Sequence, residues 1–161
     1  MDVVTEQLER AKLNIARSVD KLLEKEKITQ EQRQAALEIQ MTDNLEMASE
    51  ADLLIEAATE NPQVKFKIFA ELDQRAKPEA LLASNTSSIS ITRIASVTRR
   101  AEQVVGMHFM NPVPLMRLVE IIRGLATSDA VTEKIMEVCR RMGKEPVEAK
   151  DSPGFISNRI L

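Results

Sequence analysis

Short apolar runs separated by helix-spaced stripes constrain this chain more than any other feature. The segments 52–57, 80–83, 104–107 and 118–122 are compact and almost wholly apolar. That is how strands buried on both faces read, because neither side needs polar residues. Between them lie stretches whose apolar residues recur at three and four. Val64, Ile68, Phe69 and Leu72 form one such stripe, and Val131, Ile135, Val138 and Met142 form another. Strands alternating with helices predict an α/β fold, a mostly parallel sheet with helices on both faces.

Local signals place the element ends. A long first helix spans about 6–25, with Leu8, Ala11, Ile15, Val19, Leu22 and Leu23 on one face. Thr29 with Gln32 matches a capping box and opens a second helix. The alternation at 39–41 predicts a short strand. Asn61 before Pro62 reads as a helix cap with proline in the first turn. A short helix is expected near 92–95. Thr127 or Ser128 caps the later helix and Gly143 stops it. A last strand is expected at 146–149, and Asp151 or Ser152 before Pro153 is expected to start a final helix.

Composition excludes several classes of function. With 22 basic and 25 acidic residues the net charge is −3, and there are four Phe with no Tyr or Trp. A nucleic-acid footprint needs a basic surface, and single-strand binding needs stacking aromatics, so no nucleic-acid partner is expected. No apolar run approaches the ~20 residues of a membrane helix. Cys139 is the only cysteine and His108 the only histidine. One of each, far apart, makes no metal set, and a single cysteine cannot form an internal disulfide, which fits a reducing, cytoplasmic setting. Cys139 falls on an apolar stripe and reads as core.

Any imidazole chemistry must therefore be done at His108. It follows 104–107, at the end of a buried strand, where open α/β sheets place their ligands. Glu120 lies twelve residues on, across the turn containing Asn111 and Pro112, on what reads as the neighbouring strand. A carboxylate there could fix the imidazole tautomer. Alone, a single histidine is more simply explained as a structural one.

The surrounding residues decide otherwise. Asn85-Thr86-Ser87-Ser88, then Gly106-Met107-His108-Phe109-Met110-Asn111-Pro112, then Leu118-Val119-Glu120 form a long ordered pattern. Upstream are 52–57, Glu60, Asn61 and Lys65; downstream are 143–147 and 150–159. This pattern resembles the 3-hydroxyacyl-CoA dehydrogenase family, which includes the 3-hydroxybutyryl-CoA dehydrogenases, along nearly the whole chain.

The resemblance implies a Rossmann-type NAD-binding domain, NAD as cofactor, and oxidation of (S)-3-hydroxyacyl-CoA to 3-oxoacyl-CoA in β-oxidation or butyrate-type metabolism. It implies His108 as base and Glu120 as its partner, with Ser87 and Asn158 at the substrate and Ser87 also near the nicotinamide. Asp2, Glu60, Lys65 and Asn111 correspond to cofactor contacts, and Ser18 and Lys25 to positions that meet the CoA portion. Read without the resemblance, each has a plainer role. Ser87 would cap a helix, Asn158 would be an exposed helix residue, and Asn111 a turn residue. Glu60 would favour a helix N-terminus, and Lys65, Ser18 and Lys25 would be solvated.

No glycine occurs before Gly106. A dinucleotide-binding domain normally opens with G-x-G-x-x-G, whose glycines let the backbone approach the pyrophosphate. Set against the family, Asp2 resembles the acidic residue that ends the second strand and bonds the ribose. The chain is thus expected to be a fragment: 1–151 a partial, truncated NAD-binding domain, and 152–161 the start of a helix leading to a helical domain. In the family that domain forms a homodimer. The fragment alone is expected to be weak or inactive. Two alternatives remain at this level: a non-catalytic module that binds acyl-CoA or a partner, and a related β-hydroxyacid dehydrogenase.

Overall fold

The computed structural model describes residues 1–2 and 4–160. Leu161, the last residue of the expected terminal helix, lies outside them. The described residues form two compact units, Met1–Glu46 and a second that begins at Met47. No helix among them is long and apolar enough to cross a membrane.

The first unit holds α1 (Thr5–Glu24) and α2 (Gln30–Leu37). The expected stripe is the covered face of α1, with Val19 buried and Leu8, Ala11, Ile15, Leu22 and Leu23 half-buried. The capping box is formed: the Gln32 amide donates to Thr29 Oγ1 at 3.2 Å, and the Thr29 amide to Gln32 Oε1 at 2.8 Å. Asp20 and Arg33 join the two helices at 2.6 Å. The strand expected at 39–41 does not form. Alternation makes a strand only where a partner completes the backbone ladder, and none of the strands among the described residues pairs with this segment.

The second unit runs β1 (Leu53–Glu56), α3 (Pro62–Arg75), β2 (Leu81–Ser84), α4 (Ile91–Ala95), β3 (Val104–Phe109), β4 (Leu118–Arg123), α5 (Asp129–Arg141), β5 (Glu145–Lys150) and α6 (Ser157–Ile160). The sheet order is β1-β2-β3-β4-β5. The first three strands are parallel, β4 is antiparallel to β3, and β5 is parallel to β4. The single antiparallel step follows from connection length: β3 and β4 are joined by a turn too short for a crossover helix.

Both faces carry helices, as the alternation predicted. On one, Leu81, Ala83, Val105, Met107, Val119 and Ile121 pack with Val131, Ile135 and Cys139 of α5. On the other, Ile122 of β4, with α4 over it, leaves room only for glycine at 106. A Cβ on Gly106 would stand 2.7 Å from Ile122 Cβ and 3.1 Å from Ile91 Cδ1. Gly143, at φ +72°, ends α5 as expected.

Two sequence expectations need correction. In α3 the buried face is Lys65, Phe69 and Leu72, while Val64 is exposed. The i, i+4 spacing turns Lys65 inward, and a carboxylate at the end of β1 makes that possible. The final helix starts at Ser157, not at Asp151 or Ser152. Gly154 and Phe155 adopt φ +76° and +48°, a left-handed stretch that no helix can include.

Candidate active site

The end of β3 and the start of β4 bring His108 and Glu120 together. They are direct partners in the antiparallel register, so both side chains project from the same face. His108 is 7% exposed and Glu120 1%. Imidazole Nδ1 lies 2.7 Å from Glu120 Oε2. An ionised carboxylate only accepts, so Nδ1 carries a proton, and in the neutral ring Nε2 keeps its lone pair. Nε2 has no protein partner among the described residues.

A buried carboxylate must be held by donors, and the chain supplies them from 156–157. Glu120 Oε1 accepts the amides of Ile156 at 3.0 Å and Ser157 at 2.7 Å, and Oε2 accepts the Ser157 hydroxyl at 3.0 Å. Burial alone would raise the Glu120 carboxyl, but the bonds from His108, Ser157 and Ile156 outweigh it and hold it below the usual range. Phe155 sets its ring edge-on to His108, centroids 6.0 Å apart.

The segment 151–157 is fastened at its other end too. Asp151 accepts the Ser90 hydroxyl at 2.7 Å and the amides of Ile91 at 2.9 Å and Thr92 at 2.8 Å. It caps α4 instead of starting a helix. Burial would raise its carboxyl; the bonds from Thr92, Ser90 and Ile91 pull it below the ordinary range.

The loop 85–88 after β2 is bonded to the same end of the sheet. Asn85 Oδ1 accepts the Phe109 amide at 2.9 Å, tying this loop to the residue after His108. Asn158 Nδ2 donates to the Ser87 carbonyl at 3.1 Å, joining two residues that sequence reasoning placed in one site. The Ser87 hydroxyl is exposed and makes no bond among the described residues. Ser87 caps no helix; Ser90 caps α4.

Glu60 and Lys65 sit beneath that loop. Glu60 Oε1 collects the Thr86 hydroxyl at 2.6 Å, the amides of Ser87 and Ser88 at 2.9 and 3.0 Å, and the Ser88 hydroxyl at 3.1 Å. Burial opposes its ionisation, and these bonds together with Lys65 overcome it, leaving its carboxyl below the usual value. Lys65 is not solvated. It is 1% exposed, with Nζ at 2.8 and 2.9 Å from the two oxygens of Glu56 and 3.6 Å from Glu60 Oε2. Ser84 donates to Glu56 Oε2 at 2.7 Å.

The remaining expected residues are exposed. Asn111 is exposed at the cis peptide to Pro112, without a side-chain bond among the described residues. Asp2, Ser18 and Lys25 are exposed residues of the first unit. Sequence reasoning missed the roles of Glu56, Asn85, Asp151, Phe155 and Ser157. Each lies inside a motif quoted above, but what each one bonds depends on a strand or loop distant in sequence.

Comparison with known proteins shows the family. The family model described as "3-hydroxyacyl-CoA dehydrogenase, NAD binding domain" matches residues 1–152. The chain belongs to that family. The 3-hydroxybutyryl-CoA dehydrogenase of Bradyrhizobium diazoefficiens is 50% identical over 149 residues, 92% of this chain and 50% of that protein. The 3-hydroxyadipyl-CoA dehydrogenase of Escherichia coli is 43% identical over 161 residues, 99% of this chain and 34% of that protein. The crystal structure of (S)-3-hydroxybutyryl-CoA dehydrogenase from Ralstonia eutropha superimposes with a TM-score of 0.96 at 43% identity, covering 100% of this chain and 57% of that one. The chain spans about half the length of the curated relatives it matches first.

NAD is the cofactor of this 3-hydroxyacyl-CoA dehydrogenase domain. Two polar groups at this end of the sheet are available to a bound group: Nε2 of His108 and the Ser87 hydroxyl have no protein partners among the described residues. A glycine-rich pyrophosphate turn does not occur among the 161 residues, whose glycines are 106, 124, 143 and 154.

Proposed function

We propose that this chain carries the base and the nicotinamide-side residues of an enzyme interconverting (S)-3-hydroxyacyl-CoA and 3-oxoacyl-CoA. One observation carries the reading: a single, nearly buried imidazole whose Nδ1 is committed to a carboxylate at 2.7 Å while Nε2 is left free. Oxidising a 3-hydroxyl requires its proton to leave as hydride departs from C3. Imidazole titrates near neutrality and suits the proton step. When bound, NAD supplies the hydride acceptor.

His108 Nε2 takes the hydroxyl proton in oxidation and returns it in reduction. Glu120 keeps Nδ1 protonated and steadies the imidazolium. The Ser87 hydroxyl and the Asn158 amide hold the substrate oxygen. Glu60 and Lys65 serve the cofactor side by fixing the 86–88 loop, and Asn111 contacts the cofactor from the turn after β3. Asp2 bonds the adenosine ribose, and its charge would repel an added 2′-phosphate, favouring NAD over NADP. Ser18 and Lys25 meet the CoA portion. The family membership and the substrates in the relatives' names support an acyl-CoA substrate.

The test uses the full in-frame product of the gene, acetoacetyl-CoA and NADH. We expect turnover that His108→Gln lowers about 10²- to 10⁴-fold, the range of a general base. Absence of turnover in a product that binds NADH, or an unchanged rate in His108→Gln, refutes the reading.

A further inference from the structure

We propose that Ser157 is a positioning residue that tunes the hydrogen bond orienting His108. This rests on the reading of His108 as the base and goes beyond it, since that reading gives Ser157 no part in the proton step. The geometry is specific. Glu120 Oε2 is shared by two donors, the His108 ring at 2.7 Å and the Ser157 hydroxyl at 3.0 Å, while the Ser157 amide holds Oε1 at 2.7 Å. One residue thus grips both oxygens of the carboxylate that sets the imidazole.

Two donors on one oxygen divide its charge. The hydroxyl therefore draws electron density away from the Nδ1–H bond and also fixes the rotation of the carboxylate plane. Without it, Oε2 serves the imidazole alone, and the Nδ1–H···O bond becomes the stronger charge-assisted one. Ser157 reaches this place because 151–157 is fastened twice, by Asp151 on α4 and by the Ile156 and Ser157 amides on Glu120. Phe155 and Gly154 take up the left-handed turn between the fastenings. A bulky residue at positive φ persists only where its surroundings over-determine it. Here that backbone aims two successive amides at one oxygen.

His108 is the sole histidine, so its ring nitrogens can be read without ambiguity. Long-range proton–nitrogen correlations from the carbon-bound ring protons report Nδ1 and Nε2 without relying on an exchangeable proton. They are recorded on the full chain with the ring neutral. Ser157→Ala should move the Nδ1 nitrogen downfield, toward stronger donation. Ser157→Thr, which keeps the hydroxyl, should leave it at the wild-type position. A nucleus that stays put or moves upfield in Ser157→Ala overturns the proposal. So does a Thr variant that shifts as far as Ala, because then bulk or folding and not the hydroxyl is responsible. The functional reading fails separately: an unchanged rate in His108→Gln would sink it while leaving the nitrogen shift intact.

Discussion

Replacing Glu120 by glutamine should relocate one proton and leave the fold in place. All four partners of the carboxylate are donors: the Ile156 and Ser157 amides on Oε1, and the His108 ring and Ser157 hydroxyl on Oε2. A glutamine offers one acceptor oxygen and one NH₂ group. The two backbone amides cannot reverse, so the glutamine oxygen must take the Oε1 position and the NH₂ group that of Oε2. The Ser157 hydroxyl can rotate to accept. The imidazole can accept only if Nδ1 gives up its proton and Nε2 takes it. Leaving the ring unchanged would set donor against donor, at about 1–3 kcal/mol for a buried unsatisfied group. That energy corresponds to roughly 5- to 150-fold in favour of the Nε2–H form. Stability should move little, because weaker neutral bonds are offset by a smaller desolvation penalty. Activity should fall steeply, since Nε2 no longer has a lone pair; a wrong tautomer in a comparable carboxylate–histidine pair costs about 10⁴ in kcat. Ring nitrogen shifts identify the tautomer directly, and thermal unfolding checks the fold. A Glu120→Gln protein whose imidazole still carries its proton on Nδ1, or that keeps near-wild-type turnover, would contradict this proton relocation.

Two further outcomes follow from the buried charges. Lys65→Met should destabilise the protein by about 3–5 kcal/mol in urea unfolding, because it strands Glu56 without a counter-charge; a loss below about 1 kcal/mol would mean that Glu56 is satisfied elsewhere. Glu120, Asp151 and Glu60 all titrate below their ordinary values when folded. Groups depressed in the folded state stabilise above the unfolded carboxylate pKa, about 4, and that stability is lost as pH falls through their folded values. Unfolding free energy should therefore drop below about pH 4, and Asp151→Asn should flatten the decline; a slope identical to wild type would remove Asp151 from the account.

The order of strands and helices was legible because each is a local pattern. Short apolar runs, the Thr29 box and the Asn61-Pro62 cap act within a few residues and set elements that appear in the structure, although Ile55 of β1, Val64 of α3 and Met142 after α5, all read as covered, are exposed. Errors arose where distant groups compete for a residue. Asp151 before Pro153 resembles a helix start, but the open N-terminus of α4, some sixty residues away in sequence, claims its carboxylate. Lys65 resembles a solvated lysine until Glu56 arrives from β1. The 39–41 alternation lacked a partner strand among the described residues.

The candidate site divides in the same way. Residue identity and spacing limited the chemistry before any fold was known: a single imidazole, a carboxylate twelve residues on, and motifs whose pattern is that of one dehydrogenase family. They also put the pair at the end of one apolar run, 104–107, and within the next, 118–122. Folding then made those segments adjacent, chose Nδ1 and not Nε2 to meet Glu120, and brought Ser157 and Ile156 to complete the carboxylate. Hydrophobic periodicity is written in neighbouring residues, whereas a hydrogen-bond partner is chosen by proximity, and proximity across a sheet exists only after the chain has folded.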